Sequence, residues 1–125
     1  MATKKQVLLV EDDEFLAELY ATKLNLEGFE VSLAADGEKG IRLIKEKKPD
    51  LILLDIVLPK MDGFEILKRM KADKETRNIP VILLTNLSQK DEVKKGLDLG
   101  ANDYLIKAHF MPSEVIKKIK KVLGD

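Results

Sequence analysis

The sequence predicts an α/β domain built on an open, five-stranded parallel sheet with helices on both faces. Three observations carry this. Short apolar runs alternate with stretches of helical periodicity five times along the chain. The runs at Val7, Leu51 and Val81 are apolar at every position, which marks strands buried on both faces. The length, 125 residues, suits one such domain with a real core and leaves little room for a second.

Val7 to Val10 stops abruptly at Glu11, Asp12 and Asp13. Phe15, Leu16, Leu19, Tyr20 and Leu24 then recur at helical spacing, with Asp13 placed as N-cap and Gly28 as stop. Phe29, Val31 and Leu33 alternate with Glu30 and Ser32, as in a strand with one wet face. Asp36 and Gly37 open a second helix carrying Ile41, Leu43 and Ile44, and Lys45 to Lys48 and Pro49 close it.

Leu51 to Leu54 runs straight into Asp55, and a loop follows to Gly63. Phe64, Leu67 and Met70 give a third helix ending near Asp73. Val81 to Leu84 ends in Thr85. Ser88 with Asp91 resembles a capping box for a fourth helix carrying Val93, Leu97 and Leu99, stopped by Gly100. Tyr104 to Ile106 is a short strand ending at Lys107. Val115, Ile116, Ile119, Val122 and Leu123 form the stripe of a fifth helix, with Pro112 in its first turn.

The alternating second strand and the short fifth belong at the sheet edges. With right-handed crossovers this requires a reversal across the sheet after the second strand. The result is the order 2-1-3-4-5 of the flavodoxin-like, doubly wound fold, with five helices. Residues 1–125 are expected to form a single domain, with no output domain after the last helical stripe.

Composition removes several functions. Lys and Arg number 22, as do Asp and Glu, and a net charge of zero offers no field for a nucleic-acid backbone. The chain lacks cysteine, so disulfides and thiolate metal sites are excluded, and a single histidine, His109, cannot build a multi-histidine site. No apolar stretch is long enough to span a membrane, and the start lacks a secretory core. A cytoplasmic location is expected.

In an open parallel sheet, ligands bind beyond the carboxyl ends of the strands. Those ends carry Glu11 and Asp12, then Asp55, Thr85 and Lys107. Taken singly each has a plain role: Asp55 is a metal ligand, a nucleophile or a turn cap, and acids before a helix favour its dipole. Their shared position argues for more. Clustered carboxylates repel and raise one another's pKa unless a cation sits among them. Hard oxygen ligands favour Mg²⁺ or Mn²⁺. With Lys107 and Thr85 to hold anionic oxygens, the set forms a trap for a phosphoryl group, with Asp55 as attacking oxygen.

Val-Glu-Asp-Asp at 10–13, Leu-Asp-Ile-Val-Leu-Pro-Lys-Met-Asp-Gly at 54–63, Leu-Leu-Thr at 83–85 and Asp-Tyr-Leu-Ile-Lys at 103–107 are the carrying motifs. In this order they resemble receiver domains of the two-component response regulator family, over essentially the whole chain. The resemblance implies that Asp55 is the phosphoacceptor, loaded by a histidine kinase or phosphotransfer protein. It implies Mg²⁺ (or Mn²⁺) at Glu11, Asp12, Asp55 and the Val57 backbone carbonyl. Thr85 becomes the switch hydroxyl, Lys107 the phosphoryl-binding cation and Tyr104 the aromatic switch. A stand-alone, phosphorylation-activated switch is expected, signalling to a separate effector through the surface of the fourth helix, fifth strand and fifth helix. That surface is also a candidate homodimer face, where Asp98, Asp103 and Lys118 could pair.

The chain departs from the family pattern at five positions. Ala108 stands where proline usually follows the lysine, and a cis bond before a non-proline costs roughly 2.5–4 kcal/mol. Asn86 replaces a small residue. Met111 stands at a position suited to a polar cap. Val57 and Leu87 are apolar where some members place side chains that orient water, so slow loss of the phosphoryl group is expected. His109 reads as an exposed loop residue rather than a relay histidine. The rival functions are a haloacid dehalogenase-type phosphatase, a phosphate-independent protein-binding module of the same fold, and a flavin carrier. The first lacks its acid/base carboxylate at Val57, and the last lacks a phosphate-binding loop. The chain is expected to catalyse only its own phosphorylation and dephosphorylation.

Overall fold

The computed structural model describes residues 4–85, 90–107 and 112–124. Strands β1 (Gln6–Val10), β2 (Glu30–Ala34), β3 (Leu51–Asp55), β4 (Val81–Thr85) and β5 (Asp103–Ile106) alternate with five helices. The helices are α1 (Glu14–Leu26), α2 (Gly37–Lys47), α3 (Gly63–Ala72), α4 (Lys90–Asp98) and α5 (Pro112–Leu123). All strand pairs are parallel, in the order β2-β1-β3-β4-β5. The predicted architecture is the observed one.

Two apolar layers sandwich the sheet. On one face Val7, Leu9, Leu53, Ile82 and Leu84 meet Ala17, Tyr20 and Leu24 of α1 and Val115, Ile116 and Ile119 of α5. On the other, Leu8, Val10, Ile52, Leu54 and Leu83 meet Ile44 of α2 and Ile66, Leu67 and Met70 of α3. Every residue of β3 and β4 is buried, as their unbroken apolar runs require. Burial of this kind stabilises by roughly 25 cal/mol per Å² of apolar surface, so these central strands anchor whatever their ends carry.

Helix starts follow the sequence. Asp13, Asp36 and Asp62 accept the backbone N–H groups of Leu16, Lys39 and Glu65 at 3.1, 2.9 and 3.0 Å. Gly28 (φ 92°) and Gly100 (φ 111°) end α1 and α4 in the left-handed region that side chains avoid. Beyond α3, the buried Thr76 hydroxyl donates to the Met70 carbonyl at 2.8 Å and satisfies a helix-end acceptor.

Two apolar assignments are corrected. Phe15 and Leu19 are 78% and 42% exposed, because Ala17, Tyr20 and Leu24 define the face of α1 that meets the sheet. Leu33 on the edge strand is 39% exposed, although Val31 packs against the α1 layer. The expected features at Asn86, Leu87, Ser88, His109 and Met111, and at the Lys107–Ala108 bond, lie outside the described residues.

Candidate functional site

The carboxyl ends of β1, β3 and β5 converge on one rim. The Glu11 N–H donates to the Ala34 carbonyl at 3.0 Å, which continues the β1–β2 ladder one residue past the strand and holds the Glu11 side chain inward. Asp55 is the last residue of β3, the middle strand of the sheet, and is buried. Lys107 follows β5 directly. Its ammonium lies 2.7 Å from Asp55 Oδ2 and 2.6 Å from Glu11 Oε1. The remaining oxygens are also engaged: Asp55 Oδ1 accepts the Val57 N–H and Glu11 Oε2 the Asp13 N–H, both at 3.2 Å.

Burial dominates the electrostatics. It pushes Glu11 up to about 7 from an ordinary 4.5, with the Asp55 charge adding to the rise and Lys107 opposing it. Burial alone would lower the Lys107 ammonium, but hydrogen bonds to Asp55 and Glu11 offset that and raise it. The phenol of Tyr20, buried beneath the rim, is raised first by desolvation and then by the charges of Glu11 and Asp55. The helical spacing marked Tyr20 as core, and nothing in the sequence signalled that it sits within the field of the acids.

Glu11, Asp12 and Asp55 offer carboxylate oxygens that all lie within 4.8 Å of one another. Two are buried and Asp12 is exposed. An all-oxygen set open to water on one side fits Mg²⁺, which keeps part of its hydration shell. A divalent ion there would offset the repulsion that raises Glu11.

The loop after Asp55 carries Val57, which is 58% exposed at the mouth. The loop is held at both ends. Gly63 N–H donates to the Ile56 carbonyl at 2.8 Å, and a Cβ on Gly63 would come within 2.5 Å of the Asp55 carbonyl oxygen. Between them Met61 N–H returns to the Pro59 carbonyl at 2.8 Å across Lys60, whose φ is 68°. These are the marks of a γ-turn with a non-glycine residue at positive φ, an uncommon and strained arrangement.

Thr85 ends β4, the strand next to β3, and Tyr104 lies on β5. Leu83 pairs with Tyr104 and Thr85 with Ile106, so these residues share the sheet face under α4. Thr85, Tyr104 and Ile106 line a groove of about 360 Å³ with Lys90, Val93, Lys94 and Leu97 of α4. Val93 and Leu97, the apolar positions read for the fourth helix, thus serve as groove wall. Tyr104 is 36% exposed, with Lys118 Nζ 5.3 Å from its ring centre. Lys118 also pairs with Asp103 at 3.0 Å, so that charge pair closes within a single chain.

Comparison with known proteins agrees with this geometry. Residues 7–120 match the family described as the response regulator receiver domain. The chain is 39% identical over 118 residues to the DNA-binding dual master transcriptional regulator RpaA of Synechocystis, covering 94% of this chain and 48% of that protein. It is 39% identical over 119 residues to the phosphate regulon transcriptional regulatory protein PhoB of Pseudomonas aeruginosa, covering 95% and 52%. The chain therefore spans about half the length of such relatives. Among solved structures, the receiver domain of sensor histidine kinase PA1611 from P. aeruginosa, with a magnesium ion in its active-site cleft, superposes with a TM-score of 0.89. Identity there is 30%, over 98% of this chain and 100% of that one. The Francisella response regulator 1452 receiver domain gives 0.87 at 31% identity, over 97% and 98%. A match across nearly the whole chain, joined to the acid–lysine rim at the strand ends, places this protein in the response regulator receiver domain family.

Proposed function

We propose that the chain is a phosphorylation-activated switch in which Asp55 accepts a phosphoryl group from a histidine kinase or phosphotransfer protein. The observation that carries this is the single rim formed by Glu11, Asp12, Asp55 and Lys107, with the Lys107 ammonium 2.7 Å from the Asp55 oxygen. An Asp55 carboxylate oxygen attacks phosphorus, the bond from phosphorus to the donor imidazole breaks, and the departing imidazole nitrogen takes a proton. Mg²⁺, or Mn²⁺ in its place, supplies charge neutralisation for the phosphoryl oxygens when bound at Glu11, Asp12, Asp55 and the Val57 carbonyl. Lys107 shifts its contact from the bare carboxylates to the new phosphoryl oxygens. Thr85 then turns toward the rim, and Tyr104 moves into the groove that Thr85 lines.

The α4-β5-α5 surface changes as a result, and an effector reads it. This is a biased two-state equilibrium with Asp55 chemistry as the bias. Activity stays confined to the chain's own phosphorylation and dephosphorylation. The test is to weigh the intact protein after incubation with Mg²⁺ and a small phosphodonor. One added phosphoryl group that is absent in Asp55→Asn is expected. No gain with either a small donor or a cognate kinase would overturn the proposal and favour a phosphate-independent binding module.

A further inference from the structure

Resting on that reading, we propose that Gly37, at the start of α2 and remote in sequence from the site, is a positioning residue for the metal and phosphoacceptor loop. The strained turn at Pro59–Met61 does not stand alone; the amino end of α2 grips it. Gly37 N–H donates to the Pro59 carbonyl at 3.2 Å, the same oxygen that accepts Met61 N–H. Lys60 Nζ lies 3.7 Å from Asp36 Oδ2, beside the oxygen that caps α2. Gly37 is buried, and a Cβ there would overlap the Met61 carbonyl oxygen and come within 2.6 Å of Met61 C and Cβ. The obstacle is backbone, so no rotamer change relieves it.

The two fixed points of this loop therefore differ in kind. Gly63 seats its far end against the Asp55 carbonyl, within the site itself. Gly37 seats its middle from another element, and α2 is held in turn by Ile44 in the sheet layer and by Gly40 against Val10. A left-handed Lys60 persists only where neighbours over-determine it. Displacing α2 by one methyl would loosen the turn and let the Val57 segment, which donates to Asp55 Oδ1, drift from its place. Groups that hydrogen-bond a metal ligand, as the Val57 N–H does Asp55, commonly govern metal affinity by about tenfold or more.

The experiment compares wild type, Gly37→Ala and Gly28→Ala. Gly28 has a φ of 92° and no atom near its virtual Cβ, so its substitution lowers stability without touching the site. Mg²⁺ affinity is read by calorimetry, and phosphorylation rate by intact mass with a small phosphodonor. Gly37→Ala is expected to weaken Mg²⁺ binding about tenfold or more and slow phosphorylation, while Gly28→Ala leaves both unchanged. Should Gly37→Ala not fold, Lys60→Val strains the same turn from its exposed side and carries the same expectation. Wild-type affinity and rate in a folded Gly37→Ala or in Lys60→Val overturn the inference. A wild-type protein that neither binds Mg²⁺ nor gains mass overturns the switch itself, and the positioning role with it.

Discussion

The Lys107 ammonium meets the Glu11 carboxylate at 2.6 Å inside the rim, while also holding Asp55. One cation thus balances two buried acids where a divalent ion would also bind. Lys107→Ala leaves both carboxylates facing each other in a poorly hydrated site. Breaking a buried pair costs roughly 3–5 kcal/mol, and partial exposure of the lysine reduces this to about 2–3 kcal/mol at pH 8. Mg²⁺ should return more stability to the variant than to wild type. Urea titrations with and without Mg²⁺ check this, and equal Mg²⁺ effects on the two proteins would refute it.

Glu11 ties stability to pH. Its carboxyl stands at about 7 in the folded chain and near 4.5 when unfolded, so the native state binds the extra proton between those values. Metal-free stability should therefore fall as pH rises from about 4.5 to about 7. Glu11→Gln should flatten that part of the curve. Thermal melts in a chelator across the window provide the measurement. Mg²⁺ affinity should climb over the same range, since the ligand must lose its proton.

Val57, 58% exposed beside Asp55, offers nothing to align an attacking water. The phosphorylated protein should keep its label for minutes or longer. A polar replacement, Val57→Asn, should shorten the lifetime several-fold. Loss of added mass with time in Mg²⁺ decides the matter, and a wild-type half-life of seconds would be incompatible with this account.

Gly96 sits where α4 presses on β4, and a Cβ there would overlap Leu83 Cδ1. Leu83 is fully buried and cannot step aside cheaply. Gly96→Ala should cost about 1–3 kcal/mol, the usual penalty for overpacking a core. A denaturant midpoint lowered without a change in slope is the expected signature.

Much of this was legible in the residues. Runs such as Leu51–Leu54 and Val81–Leu84 point to strands buried on both faces, which places them at the centre of the sheet. Asp13, Asp36 and the strand-end acids were readable because capping and ligand chemistry depend on residue type. What stayed hidden depends on direction in space. Phe15 and Leu19 share a helix with Tyr20, and spacing could not say that Ala17, Tyr20 and Leu24 would win the sheet. The grip of Gly37 on the Pro59–Met61 turn joins segments that sequence patterns treat as unrelated.

Thr85 marks a boundary in the sheet. It ends β4 next to the strand that carries Asp55, and it also lines the groove under α4. The groove and the rim thus meet at neighbouring strand ends. Thermodynamic reciprocity then applies between them: by whatever factor the acylphosphate alters a peptide's affinity for the groove, a seated peptide alters the acylphosphate equilibrium by the same factor. On the proposed switch, an occupant of the α4 groove would on this basis also set what fraction of Asp55 is phosphorylated at equilibrium.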